Sequence, residues 1–219
     1  METMSFSKQR TIIIFALCHW CKMMNLILIT GIPGSGKTTI SQKLSRELGI
    51  KRISKDEFKL DYYEKYGFAS NEEKHELDKL AEEQVYREIV CSAKSGTDLI
   101  VDKWYVDTDI IIQQVPKHVM NIICVQLSVS PQIAAKRYNQ RINDGTRHIA
   151  LSITNQYPVV TGVTRFESNK TEEEMLLRIQ STPQIKNSDH YLSALNDTED
   201  IEFVYATVSN FVRSSIVRE

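Results

Sequence analysis

No apolar run in this 219-residue chain reaches the roughly eighteen residues that a membrane-spanning helix needs. Neither sign of charge dominates: 27 Lys and Arg stand against 28 Asp and Glu, for a net charge of -1. That balance excludes a basic surface spread over the whole chain, leaving room only for a local basic groove, and no nucleic-acid partner is expected from it. Internal repeats and low-complexity tracts are also missing. Cysteine is sparse, at positions 18, 21, 91 and 124. Cys91 falls in an expected helix and Cys124 in an expected strand, where buried free thiols are ordinary. This usage suits a reducing compartment, and a cytoplasmic location is the expectation.

Cys18-His19-Trp20-Cys21 forms a lone C-x-x-C. A redox motif of that kind sits inside a βαβ unit, and only 17 residues precede Cys18. A zinc site needs two further ligands, and no second C-x-x-C supplies them. The pair therefore reads as ordinary thiols. Residues 1–23 read as a poorly packed extension: Lys8 and Arg10 precede a short apolar stretch, but no A-x-A-like cleavage site follows.

What the chain does contain is a 42% hydrophobic composition, enough for one α/β domain with an inserted lid and thin for two domains. From Met24 onward, short apolar runs alternate with helical patterns, which implies a parallel sheet covered by helices on both faces. Strands are expected at 25–30, 51–54, 98–102, 121–129 and, in "IEFVYA", 201–206. Helices are expected at 37–48, 57–66, 71–94, 131–143, 171–180 and 209–218. Ser70 with Glu73, and Thr171 with Glu174, are spaced as capping boxes. Ser130-Pro131 has the cap-then-proline order of a helix start. Residues from about 142 to 170 show no clear period and read as a lid or insertion, with residues 24–219 forming the single domain.

The strongest signal is "LITGIPGSGKTTI" at 28–40. The spacing Gly31-x-x-x-x-Gly36-Lys37-Thr38 belongs to a loop that wraps phosphates. Gly31, Gly34 and Gly36 let the backbone turn tightly, so that the loop through Ile32, Pro33, Ser35 and Thr39 surrounds the anion and aims its N–H groups, Pro33 having none, at the phosphate oxygens. The helix that follows presents its N-terminus to the same anion. Lys37 is expected to reach the terminal phosphates and the Thr38 hydroxyl to coordinate Mg²⁺. Asp102 closes the apolar strand "LIV", where ligands of open α/β sheets gather; it is read as a metal or substrate ligand, against the bland role of capping the next turn. Asp56, just past the second strand, is placed to accept the proton of an attacking hydroxyl, or simply to cap the next helix. Arg137 and Arg141 lie four apart on one helical face, a clamp for the transferring phosphoryl or a solvated basic face. Arg147 and Arg165 are further lid candidates. Tyr62, Tyr63, Trp104 and Tyr105 read as packing residues, with stacking on an acceptor as the alternative.

Together, "LILITGIPGSGKTTISQKL", "ISKDEFK", "LIVD" and "VQLSVSPQIAAKRYNQR" resemble the small P-loop kinases. The polynucleotide-kinase-like and zeta-toxin-like members, sometimes labelled AAA-type ATPases, are the nearest in pattern. The resemblance covers residues 24–145 and the chain's end. It implies a three-layer P-loop NTPase fold, a five-stranded parallel sheet of order 2-3-1-4-5 with helices on both faces and a lid. It also implies ATP and Mg²⁺ as cofactors, Asp56 as base or substrate anchor, and Arg137 and Arg141 as lid arginines. Members often carry Arg three residues after the base; Lys59 stands there, which leaves the acceptor open. "RFESNKTEEEMLLRI" (165–179) is locally similar to guanylate-kinase relatives.

The expected activity is transfer of the γ-phosphoryl of MgATP to a hydroxyl or phosphate of a small-molecule or nucleotide acceptor, by a monomer or homodimer. The alternative is an ATPase or nucleotide sensor without an acceptor. A guanine-reading N-K-x-D is lacking, since "SNKTEE" has no Asp, and Asp102-Lys103 is not the acidic pair of oligomeric ATPases.

Overall fold

The computed structural model describes residues 23–153, 155–159, 169–198 and 200–217. The expectations about residues 1–22, including Cys18 and Cys21, and about Arg165 lie outside these residues. Five parallel strands form one sheet: β1 (Met24–Thr30), β2 (Lys51–Ser54), β3 (Leu99–Asp102), β4 (Met120–Ser128) and β5 (His190–Leu195). Their order is β2-β3-β1-β4-β5, as expected for a P-loop kinase fold.

β1 is buried along its whole length because it lies between β3 and β4. Successive side chains of a strand point to opposite faces, so β1 feeds two cores. Met24, Leu26 and Leu28 join Val101, Ile122 and the helices α3 (Asn71–Ser95) and α4 (Thr108–Gln114). Ile27 and Ile29 instead meet α1 (Lys37–Leu48) and α7 (Ile201–Ser215) on the other face. The remaining helices are α2 (Lys55–Tyr66), α5 (Pro131–Asn143) and α6 (Glu172–Ser181). No helix among the described residues is long and apolar enough to cross a membrane.

Helix ends follow their local chemistry. Thr171 and Glu174 make a full capping box on α6. At α3, the Ser70 hydroxyl accepts from Glu73 N at 3.2 Å, but the Glu73 carboxylate reaches back to Ala69 N instead of Ser70. α2 begins two residues earlier than expected. Its cap position is Ser54, so Asp56 lies inside the first turn and does not cap it.

The fifth strand is a correction. Residues 201–206 are the start of α7, not a strand, and the helix expected at 209–218 is the rest of that same element. Ile, Phe, Val and Tyr favour strands, but Val204, Tyr205, Val208 and Val212 repeat on a helical stripe that covers the sheet. The Asp200 side chain accepts from Glu202 N and Phe203 N to start it. The true edge strand is "HYLSAL", paired to β4 from Ile123–His190 to Ser128–Leu195.

Beyond α5, a short 3₁₀ turn (Ile149–Leu151) leads into a segment that packs on the α2–α3 hairpin. Tyr157 and Phe68 exchange two backbone hydrogen bonds of 2.8 Å, and Ala150 and Ile153 enter the cluster around Tyr63, Phe68 and Leu77.

Candidate functional site

The parallel register aligns the carboxyl ends of β2, β3 and β1. Ile29 pairs with Asp102, and Ser54 pairs with the same Asp102 on its other side. The residues that follow β1, β2 and β3 therefore emerge side by side, which is where an open α/β sheet gathers ligands.

The loop after β1 turns back over this edge. Gly31 N donates to Trp104 O at 3.0 Å, tying the loop to the chain beyond β3. Gly31 has φ 139°, and a Cβ there would collide with Leu127 O on β4. Gly36, at φ 89°, is the residue before α1, and a Cβ would meet Asn196 Nδ2 at 2.5 Å. Both positions therefore require glycine. The Lys37 ammonium donates to Ile32 O at 2.9 Å, folding the side chain back over its own loop. Burial lowers its pKa, with Arg141 and Arg147 pressing the same way; Asp102 and Asp56 oppose the shift. Thr38 and Thr39 are exposed at the start of α1.

Asp102 is 3% exposed, so it is a desolvated carboxylate. Burial raises its pKa, while the Lys37 ammonium, the Thr38 hydroxyl and the Arg52 guanidinium favour its ionised form. Ser41 Oγ donates to Asp102 Oδ2 at 3.2 Å, one turn along α1 from Thr38. Thr38 and Asp102 thus offer a hydroxyl and a carboxylate. That oxygen-only donor pair fits Mg²⁺, which completes its shell with phosphate oxygens and water. Among the described residues no group of three or more His, Cys, Asp or Glu is placed to hold a metal by itself.

Asp56 is exposed to the cleft from the first turn of α2. It has no hydrogen-bond or ion-pair partner among the described residues, yet it lies near enough to Lys37, Tyr63 and Lys74 to influence their titration. A carboxylate without a partner beside Lys37 is of the residue type that general-base chemistry uses.

The two arginines expected at the lid differ. Arg137 donates to three backbone carbonyls: Gly34 O at 3.3 Å, Asn196 O at 2.9 Å and Thr198 O at 2.7 Å. It joins the phosphate loop to the β5–α7 connection. The Arg141 side chain, one turn on, has no hydrogen-bond or ion-pair partner among the described residues and faces the cleft. Arg147 enters the same cleft, stacked 4.8 Å from the Tyr138 ring centroid. Tyr63 is wholly buried in the core, and Tyr62 packs against that cluster and stacks on Tyr66. Trp104 packs beside Ile32 and Tyr138, donating from Nε1 to Thr182 Oγ1 at 2.8 Å.

Sequence reasoning missed Asn196. It is 1% exposed, and its amide donates to Ser35 O at 2.9 Å, holding the phosphate loop from β5. The only signal for it was position after the edge strand, and that strand was misplaced. Lys37, Thr38, Asp56, Asp102, Arg141 and Arg147 line one cleft of about 1310 Å³ between the sheet's carboxyl edge, the α2–α3 hairpin and α5, while Tyr62 and Tyr63 do not.

Comparison with known proteins agrees with this architecture. A family profile described as an AAA domain matches residues 27–152. A solved structure of a provisionally named kinase from Chloroflexus aurantiacus is similar at a TM-score of 0.72 and 20% identity, covering 90% of this chain and 100% of that one. A gluconokinase from Sinorhizobium meliloti is similar at a TM-score of 0.50 and 11% identity, covering 89% and 95%. At these identities the likeness is one of fold. No curated protein sequence matches significantly.

Proposed function

The chain belongs to the AAA-domain family over residues 27–152, and from that premise we propose that it is a phosphotransferase, moving the γ-phosphoryl of MgATP to a hydroxyl or phosphate of a small-molecule or nucleotide acceptor. The observation that carries this reading is Asp56: an unpaired carboxylate in the cleft, within electrostatic reach of Lys37. Hydrolysis or nucleotide sensing alone gives no role to a large cleft beyond the phosphate loop with a free base in it. The kinase names of the similar structures point the same way.

Bound MgATP supplies the transferable phosphoryl group and a cation that offsets its charge. The backbone of residues 31–38 cradles the β- and γ-phosphates, and Lys37 exchanges its bond to Ile32 O for a phosphate oxygen. Thr38 and Asp102 would hold the metal ion, with Ser41 and Arg52 fixing the Asp102 carboxylate. Asp56 orients the acceptor hydroxyl and takes its proton as the new O–P bond forms and the bond to ADP breaks. Arg141 meets the charge spread over the transferring group, and Arg137, in its present contacts, braces the loop beneath it.

ADP release from MgATP, measured with and without candidate acceptors, tests the reading. Acceptor-dependent release with phosphate recovered on the acceptor is the expected result. Hydrolysis indifferent to every hydroxyl or phosphate acceptor would refute it in favour of an acceptor-free ATPase.

A further inference from the structure

The cations of the acceptor half of the cleft divide sharply by what neutralises them. Arg52 pairs with Glu57 at 2.8 Å, Lys55 with Glu82 at 2.6 Å, and Lys59 with Asp78 at 2.8 Å. Lys103 shares Glu82 with Lys55. Lys74 and Arg147, like Arg141 nearer the phosphate loop, have no carboxylate at ion-pair distance among the described residues.

Lys74 is 9% exposed, in the first turn of α3. Its ammonium lies 5.6 Å and 5.4 Å from the Tyr63 and Phe68 ring centroids and donates to Ile153 O. Of the two carboxylates that act on it, Asp78 is already held by Lys59 and the Tyr63 hydroxyl, and Asp56 is not at ion-pair distance. Among the described residues Arg147 reaches only Leu151 O, at a long 3.5 Å, and its Nε is buried without a hydrogen-bond partner. Burial first, then Lys59 and Arg147, push the Lys74 ammonium down to about 8. A buried ammonium and a half-buried guanidinium, each against aromatic rings and the second with an Nε that has no partner among the described residues, gain when an anion completes them.

The donor's phosphates do not meet this need, because Lys37, the loop and Arg141 serve them. Asp56, which acts on the acceptor, is within electrostatic range of Lys74. Resting on the phosphotransfer reading above, we propose that the acceptor is itself an anion, carrying a carboxylate or phosphate that docks between Lys74 and Arg147 while its hydroxyl meets Asp56. A hydroxy acid and a sugar or nucleoside phosphate present the same chemistry to these two cations.

The test measures ADP release with acceptors in matched pairs: gluconate with glucose, glycerol 3-phosphate with glycerol, and AMP with adenosine. An anionic member outperforming its neutral partner is expected, and whether it is the carboxylate or a phosphate assigns the source. Lys74→Met, which keeps the aliphatic packing, should raise KM for that acceptor about 10- to 100-fold, whereas Kd for MgADP moves by less than about twofold. Lys74→Arg should restore part of the loss, which a merely structural role would not predict. Neutral members working as well as their anionic partners, or an unchanged acceptor KM in Lys74→Met, overturns the proposal while leaving phosphotransfer intact.

A second measurement holds whatever the acceptor proves to be. With the phosphate loop saturated by MgADP, inorganic phosphate should raise the Tm of the wild-type chain and not that of the Lys74→Met/Arg147→Met variant. Equal shifts in both overturn the anion site. Hydrolysis indifferent to every acceptor refutes phosphotransfer separately.

Discussion

Asp56 and Lys37 are the two residues on which chemistry should depend most directly, and they should fail differently. Asp56→Asn keeps size and hydrogen bonding but cannot take a proton, so kcat should fall by about 100-fold or more with little change in MgADP binding. Stopped-flow or steady-state ADP release beside a nucleotide titration checks this; equal losses in both would demote Asp56 to a structural residue. Lys37→Ala should lower turnover by about 1,000-fold and weaken nucleotide binding as well, with an unchanged circular-dichroism spectrum. Lys74 gives a pH signature. The unfolded chain holds its proton up to about 10.5 and the folded chain only up to about 8, so between those values the unfolded state binds more protons and wild-type stability rises with pH. Below about 8 the charge is present in both states and its burial penalty is constant. Asp78 and Asp56 favour that charge, while Lys59 and Arg147 oppose it. Lys74→Met lacks this titration, so the Tm of wild type relative to the variant should climb as pH goes from 8 toward 10; a flat difference across that range would contradict the shift.

At the scale of elements, the β5–α7 connection governs the phosphate loop. Asn196→Ala would leave Ser35 O buried without its donor and should cost about 1–3 kcal/mol of stability, with a larger Kd for MgADP; chemical denaturation and nucleotide titration measure the two. How much of this was legible differs by element. The loop, α1, α3, α5 and the inner strands β1, β3 and β4 could be read because their signals are local: glycine spacing, caps and continuous apolar runs. β5 could not, since an edge strand with Tyr191 and Leu195 exposed carries no buried run to mark it. "IEFVYA" misled because strand-favouring residues were there serving a helical stripe, a tertiary preference overriding a local one. The seven-residue α4 has too few turns to show a period. At the site, residue types were visible and partners were not. Nothing in the spacing of Arg137 and Arg141 distinguishes the one that binds three carbonyls from the one left free; that depends on where β5 ends.

For the whole molecule, the sheet divides the core into two layers that meet at β1, and both faces of β1 support the loop at its end. Nucleotide binding should therefore stabilise the entire fold and not a local lobe. At MgADP concentrations of about 100 times Kd, mass action gives about 2.7 kcal/mol, or a rise in Tm on the order of 5–10 °C for a domain of this size. Calorimetry with and without MgADP checks it, and β1 amides should remain the slowest to exchange in both states.

The bond from Lys37 to Ile32 O has a consequence for how nucleotide arrives. A loop that already satisfies its own lysine and is held by Trp104, Asn196 and Arg137 is preorganised: it trades one acceptor for another instead of ordering from a coil. Little conformational entropy is then lost on association, so MgADP capture should proceed in a single fast phase, and affinity changes in loop-bracing variants should be read mainly in the rate of escape.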